Sequence, residues 1–268
     1  MKYFPALLRL GYLLPALLGA TACSVYVPMQ NAAPEIRHRG EVEVAGSWSF
    51  TNRLEAAAAY SPLPHLLVRA AFSTKGSRPG PGDSTAYAHV NQTELALGTY
   101  WPLGPSWLLG GLLATGQAQP DALFRGDGGS LHGFVLVNHD PLHRFEGSYR
   151  KHSAELYAVW QPGPRVGFGL SGRLVQTRLT SVTDLGAPVQ AAPSWRAEPM
   201  FFVRFWPRVT QPGLLQVQLA LGASRTLGYD PLTAGDTNDP ARQFKLGQAY
   251  ASVGLALYPH VWWQHRDE

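Results

Sequence analysis

The feature that most constrains this chain is a strict alternation of apolar residues with small or polar residues. Residues 214–224 show it most clearly, because Leu215, Val217, Leu219 and Leu221 fall on one side of an extended strand, where side chains alternate with period two. The residues between them are glutamine, alanine, glycine and serine. A strand with one apolar face and one nearly uncharged polar face is typical of contact with lipid on one side and a narrow, wet lumen on the other.

The alternation recurs along the chain and predicts strands joined by connections of two contrasting lengths. From the third strand onward, short turns rich in proline and glycine alternate with long polar loops, which is the pattern of short periplasmic turns and longer extracellular loops. We therefore predict an all-β fold, an antiparallel up-and-down transmembrane β-barrel of about 10 strands with both chain ends periplasmic. The predicted strands are 41–50, 53–61, 66–73, 92–101, 106–115, 153–161, 166–176, 197–206, 214–224 and 247–258. The fifth is apolar on both faces, so the pattern does not separate its inward residues from its outward ones.

A soluble β-sandwich or lipocalin-like barrel is the alternative, because its strands also alternate. The polar face of such a protein would meet bulk water and would carry lysine, aspartate and glutamate. The lysines that follow residue 22 are Lys75, Lys151 and Lys245, all placed at predicted strand ends or in loops. An arginine or lysine facing lipid at mid-depth costs about 2–4 kcal/mol, so this confinement of charge favours the membrane barrel.

The first 22 residues have the composition of a secretory signal peptide. Lys2 and Arg9 come before an apolar run, small residues follow it, and no acidic residue is present; this arrangement is typical of export signals. Removing the segment takes the formal net charge from +4 to +2. The basic balance of the whole chain therefore gives no reason to expect a nucleic-acid partner.

The single cysteine, Cys23, directly follows the predicted signal peptide. In this position it resembles the cysteine of bacterial lipoproteins, which carries a diacylglyceryl group after cleavage, so Cys23 is the predicted site of lipid attachment. The alternative is ordinary cleavage after Ala22, which leaves a free thiol. The predicted organisation is a signal peptide at 1–22, a lipidated N-terminal tether at 23–40, the barrel at 41–258 and a periplasmic tail at 259–268.

Several charged side chains are predicted to face the lumen. A barrel of this size has an interior that its own side chains nearly fill, and buried carboxylates need partners such as guanidinium groups. The sequence therefore predicts an ion-pair network that closes the lumen, while a narrow polar conduit is the alternative use of the same groups. The predicted network is Glu43, Glu55, Arg69, Glu94, Glu155, Arg173, Glu198 and Arg204.

Three short motifs carry a family resemblance. They are Tyr26-Val27-Pro28, Gly40-Glu41-Val42 and Ala59-Tyr60-Ser61. With the strand pattern, they resemble small bacterial outer-membrane β-barrel proteins of an uncharacterised lipoprotein-type family. The resemblance implies a Gram-negative outer-membrane location for the chain.

The residues suited to chemistry gather in and beside the longest loop. No nucleophile accompanies them at a recognisable spacing, and the spacings match no standard metal site. We therefore assign no catalytic residue, metal ligand or cofactor, and keep a barrel enzyme acting at the outer rim as an alternative. The residues concerned are Asp127, His132, His139, Asp140, His143 and His152.

The function expected from the sequence is that of an outer-membrane β-barrel lipoprotein of structural or surface-interaction type. Long loops favour this interpretation, since binding function concentrates on such segments. A narrow porin-like solute conduit is the main alternative. The expected partners are outer-membrane lipid, the barrel-insertion machinery and an extracellular ligand bound by the long loops, with no nucleic acid.

Overall fold

The computed structural model describes residues 25–29, 32–76, 87–125, 142–207, 214–230 and 239–264. Within them the chain is almost entirely antiparallel β-sheet, with two short helices at Pro240–Phe244 and His260–Gln264. No helix in this part of the chain has the length and apolar composition that a membrane crossing requires. The strands are β1 (Val42–Ser49), β2 (Arg53–Tyr60), β3 (Leu66–Lys75), β4 (Tyr87–Leu103), β5 (Trp107–Arg125), β6 (Leu142–Glu146), β7 (Tyr149–Gly163), β8 (Val166–Leu179), β9 (Thr183–Asp184), β10 (Ala187–Pro188), β11 (Ser194–Phe205), β12 (Leu215–Thr226) and β13 (Gln248–Leu257).

Ten of these strands form a closed wall. Their order is β1-β2-β3-β4-β5-β7-β8-β11-β12-β13, and β13 pairs back with β1 from Val44 opposite Leu257 to Ser49 opposite Ser252. Every pairing in the wall is antiparallel, so the predicted up-and-down ten-stranded barrel is confirmed. Closure leaves the wall without an unpaired edge.

The two faces of the wall differ as the alternation predicts. Outward leucines stay exposed in the isolated chain, with Leu95 at 65%, Leu113 at 70% and Leu156 at 75% of their maximum, while the inward Leu67 is fully buried. In β5, whose faces could not be distinguished from sequence, Leu113 faces out and Leu108 faces in. An apolar outer face of this kind suits hydrocarbon and would be poorly solvated by water.

The connections divide the barrel into two different ends. The short-turn end carries the turns at 61–65, 104–106 and 164–165, together with the end of β11, the start of β12, the start of β1 and the end of β13. The long-loop end carries the turn at 50–52 and the four longer connections. There β4 and β5 reach 17 and 19 residues, well beyond the roughly 9–11 residues that cross a bilayer.

The long strand β5 supports a small extra sheet at the long-loop end. Its last residues pair with β6, β6 pairs with β9, and β9 pairs with β10. The predicted strands ended too early here, because the alternation weakens where a strand leaves the membrane and both of its faces meet water or protein.

The N-terminal stretch differs from the expected polar tether. Residues 25–29 and 32–36 lie inside the barrel, and every one of them is buried; we call these residues the luminal segment. Val25 lies at the long-loop end, where its N–H donates to the carbonyl of Gln243 at 3.2 Å. At the other end Gly40 donates to the carbonyl of Ser61 at 2.8 Å. The described part of the predicted tether at 23–40 is therefore buried in the lumen, which favours its apolar side chains, and it runs from one end of the barrel to the other.

Three glycines of the wall each make room for an aromatic ring from the neighbouring strand on the inner face of the barrel. In each pair a glycine on one strand faces, in direct register, an aromatic residue on the next strand. A Cβ at any of these glycines would overlap the ring, so the missing side chain allows the ring to lie flat against the wall. The pairs are Gly110 with Tyr157, Gly169 with Phe202, and Gly222 with Tyr250.

Replacing Gly169 with valine should therefore destabilise the barrel by about 1–3 kcal/mol, the usual cost of overpacking a filled interior. Gly172→Val is the matched control, because Gly172 lies on the outer face of the same strand and a Cβ there meets no atom within 4 Å. The measurement is the urea midpoint for loss of the folded, fast-migrating gel band in detergent. Equal midpoints for the two variants would contradict the proposed packing of Phe202.

Candidate functional site

The luminal segment is held through its backbone rather than through strand pairing. Because an extended chain buried in a barrel must still satisfy its carbonyl groups, the wall supplies side-chain donors from five different strands. Three of these donors are arginines, and two are glutamines. Gln248 donates to Tyr26 at 2.8 Å, Gln92 to Val27 at 3.0 Å, Arg53 to Pro28, Arg173 to Met29 at 3.1 Å and Arg204 to Ala33 at 3.0 Å.

A cluster near the short-turn end is centred on Arg204. Its two terminal nitrogens, Nη1 and Nη2, each lie 3.1 Å from a carboxylate oxygen of Glu43, in the bidentate geometry that favours arginine. The Tyr258 hydroxyl donates to the same carboxylate at 2.9 Å. Glu35 of the luminal segment joins through its backbone N–H, which donates to Glu43 at 2.7 Å, and through its own carboxylate, which accepts from Gln216 at 3.1 Å.

A second cluster occupies the middle of the lumen. Glu94 receives three cations: Arg173 at 2.8 Å, Lys151 at 3.3 Å and Arg69 at 3.4 Å. Arg69 also contacts Glu155 at 2.9 Å. All five side chains are buried, and their strands, β3, β4, β7 and β8, lie on one side of the barrel. The cluster thus joins four strands of that side rather than only the two strands of a single hairpin.

The remaining charges lie toward the long-loop end. Arg53 pairs with Glu55 at 3.3 Å, while Glu198 accepts from the Tyr26 hydroxyl at 2.6 Å and from Ser224 at 2.9 Å. Arg196 stacks over the Tyr26 ring, 4.2 Å from its centroid. It also donates to the carbonyls of Phe244 at 2.9 Å and Leu246 at 2.8 Å, so it fastens the loop between β12 and β13 over the lumen.

All eight sequence-predicted network residues are buried in the structure. The fold brings four of them into one cluster, namely Arg69, Glu94, Glu155 and Arg173, and places Glu43 with Arg204 in another. Glu55 pairs with an arginine outside the predicted set. Among the described residues, Glu198 has no arginine or lysine within ion-pair distance, and the Tyr26 and Ser224 hydroxyls contact it instead.

Sequence reasoning missed four buried charges of the lumen: Glu35, Arg53, Lys151 and Arg196. Three of them have the same inward parity as the predicted glutamate on their own strand, and two of these were excluded only because the predicted strands began at 153 and 197 rather than at 149 and 194. The eight predicted residues carry an excess of two negative charges. With the four added, six cations face six carboxylates among the described residues of the lumen, so this set of charges is formally neutral.

Apolar side chains fill the lumen at the long-loop end and between the charged clusters. At the long-loop end, Val25 and Tyr26 pack with Phe145, Tyr149 and Phe244, all of them buried. Nearer the short-turn end, Ala32, Ala33 and Ile36 of the luminal segment pack among residues of the wall such as Tyr100 and Phe202. The segment therefore belongs to both apolar clusters of the interior.

The histidines and aspartates of the longest loop have different surroundings. His143 Nδ1 lies 2.7 Å from an Asp184 carboxylate oxygen, and the other oxygen accepts from the backbone N–H of Arg144 at 2.8 Å. These contacts join β6 to β9 in the small extra sheet at the long-loop end. His152 is exposed on the outer face of β7. Asp127, His132, His139 and Asp140 lie outside the described residues.

Replacing Arg204 with alanine should cost about 3–5 kcal/mol of stability, because Glu43 would remain buried without its cation. Arg144→Ala is the control: its ion pair with Glu146 is about half exposed and should be worth no more than roughly 1 kcal/mol. The readout is the temperature at which the folded gel band disappears in detergent. A comparable small shift in both variants would show that the buried pair is dispensable.

No protein-family model matches this chain, and a search of curated proteins finds no match. Among solved structures, it is similar to the outer membrane protease OmpT from Escherichia coli, with a TM-score of 0.44, 14% identity, and 81% of this chain and 93% of that chain covered. The translocator domain of the autotransporter NalP from Neisseria meningitidis gives a TM-score of 0.43 and 11% identity, with 83% and 90% covered. LpxR from Salmonella typhimurium gives 0.37 and 6%, with 82% and 100% covered. At identities this low, the similarity extends to no more than the fold.

Proposed function

We propose that this chain is an outer-membrane β-barrel lipoprotein of structural or surface-interaction type, whose lumen stays closed. Its outer wall contacts lipid, its short turns face the periplasm, and its long loops face the outside. Its partners are outer-membrane lipid, the barrel-insertion machinery and an extracellular ligand that the long loops bind. Lipid is attached at Cys23.

The observation that carries this proposal is the filled and neutral lumen. A conduit needs a continuous path of water, whereas here the luminal segment takes up the interior and its carbonyls accept from wall arginines and glutamines. Buried ion pairs are expensive to separate, so thermal motion does not readily open the path. A closed interior leaves the rim and loops as the surfaces at which a partner can bind.

The competing functions are a narrow porin-like conduit and an enzyme acting at the outer rim. The contacts of the lumen weigh against the conduit. The His143–Asp184 pair resembles part of a general-base arrangement, but it also fastens β6 to β9, and that structural role accounts for it.

The purified full-length barrel should give no discrete conductance steps in planar lipid bilayers, because water and ions find no continuous path through the occupied lumen. A variant lacking residues 25–36 is the comparison, and folded material of that variant should conduct. Heat-modifiable gel migration establishes that both proteins are folded before recording. Regular single-channel steps from the full-length protein would refute the closed lumen and favour the porin-like conduit.

Lipid attachment has a separate test. Cells grown with a labelled fatty acid should incorporate label into the wild-type chain and not into Cys23→Ala, because the predicted thioether has only this thiol available in the sequence. Both variants should still insert as barrels, since the wall does not involve residue 23. Label that persists in Cys23→Ala, or that is absent from the wild type, would refute lipidation at this position.

A further inference from the structure

The luminal segment has a defined direction through the barrel. Its first described residue, Val25, contacts Gln243 in the connection between β12 and β13, and Tyr26 contacts Gln248 at the first residue of β13. Both partners belong to the long-loop end. The N-terminal end of the segment therefore lies at the opposite end of the barrel from the start of β1.

The following contacts descend the lumen in order. Met29 accepts from Arg173 in the middle of β8, Ala33 from Arg204 near the last residue of β11, and Glu35 meets Glu43 at the start of β1. Gly40 reaches Ser61 in a short turn. The chain thus crosses the whole barrel once before it turns into β1.

We propose that the N-terminus of the processed chain emerges on the same side of the membrane as the long loops, and that it reaches that side through the lumen. With the long loops outside the cell, the N-terminus is displayed on the cell surface, while the end of β13 stays on the periplasmic side. In this arrangement the N-terminal segment of the chain crosses the membrane inside the barrel that the rest of the chain forms.

The mode of contact fits a threaded chain. The wall reaches the segment mainly at backbone carbonyls, from Tyr26 to Ala33, and carbonyls are present whatever the side chains are. At the long-loop end, Arg196 is fixed by the Tyr26 ring on one side and the carbonyl of Leu246 on the other. The exit is therefore built from the segment and the covering loop together.

A consequence for the lipid rests on the function proposed above. Cys23 precedes Val25 by two residues, which span at most about 7 Å of extended chain. An acyl group on Cys23 would therefore enter the leaflet at the long-loop end, not the leaflet beside the short turns. The protein would be anchored at the outer surface by lipid and across the membrane by its strands.

Epitope tags test the topology in intact Gram-negative cells expressing the full chain. One tag is inserted between Ser24 and Val25, a second in the exposed turn at Gly186 as a marker of the long-loop end, and a third after Glu268 as a marker of the other end. The N-terminal and Gly186 tags should bind antibody on intact cells, and the C-terminal tag only after permeabilisation. An N-terminal tag that behaves like the C-terminal tag overturns the inference.

The same experiment separates this inference from the proposed function. If the N-terminal and Gly186 tags are both protected while the C-terminal tag is accessible, the proposed orientation fails but the shared side of N-terminus and long loops stands. If the wild-type chain incorporates no labelled fatty acid, the proposed lipid attachment at Cys23 fails, but the proposed path of the N-terminal segment through the lumen is not contradicted. Among the tag results, separation of the N-terminal tag from the Gly186 tag is the one that contradicts threading.

A cross-link without any tag gives a second measurement. In the Cys23→Ala background, Val25→Cys with Gln243→Cys should form a disulfide on mild oxidation, because the backbones of these residues are hydrogen-bonded and such neighbours lie within the reach of a disulfide. Val25→Cys with Ser61→Cys is the matched control at the other end of the barrel and should stay reduced. The reverse result would place Val25 at the short-turn end and overturn the inference.

Discussion

The structure depends on balancing charge in a lumen that is shielded from water. An ionised group taken from water into a low-dielectric interior loses several kcal/mol of hydration unless partners restore it. In the part of the chain that the structure describes, six cations and six carboxylates are buried in the lumen, and most of them meet across strands that are distant in sequence. Arg69 contacts Glu155, 86 residues away, and Arg204 contacts Glu43, 161 residues away. The Arg204–Glu43 pair joins β11 to β1 across the β13–β1 pairing that closes the wall, so barrel closure and this charge pairing depend on each other.

The luminal segment takes part in this balance and does more than fill space. Arg53, Arg173 and Arg204 each have donors left over after pairing with glutamate, and each directs one to a carbonyl of the segment. Without the segment, those donors would need water, and a lumen hydrated at three levels would weaken the ion pairs by raising the local dielectric constant. The segment and the arginines therefore stabilise one another.

Sequence alone predicted the wall well, because the wall depends on local chemistry. The alternation of Leu95 and Leu97 with Glu94 and Ala96 fixes which face of β4 is inward, and the structure has that orientation. Strand ends were less predictable. Lys151 and Arg196 lie close to the first residues of β7 and β11, near the long-loop end, where the outward side chains need not be apolar. Lys151 is buried, although its position suggested a solvated strand end.

The position of residues 25–29 and 32–36 could not be predicted in the same way, because most of their hydrogen bonds reach wall residues distant in sequence and their backbone forms no strand. Their composition did hold a signal, since Val25, Tyr26, Val27, Met29 and Ile36 are too apolar for a solvated tether. The composition does not show in which direction the segment runs along the barrel, because that direction depends on which wall residues it contacts. Tyr26 next to β13 and Glu35 next to β1 fix the path, and that path places Val25 and the start of β1 at opposite ends of the barrel.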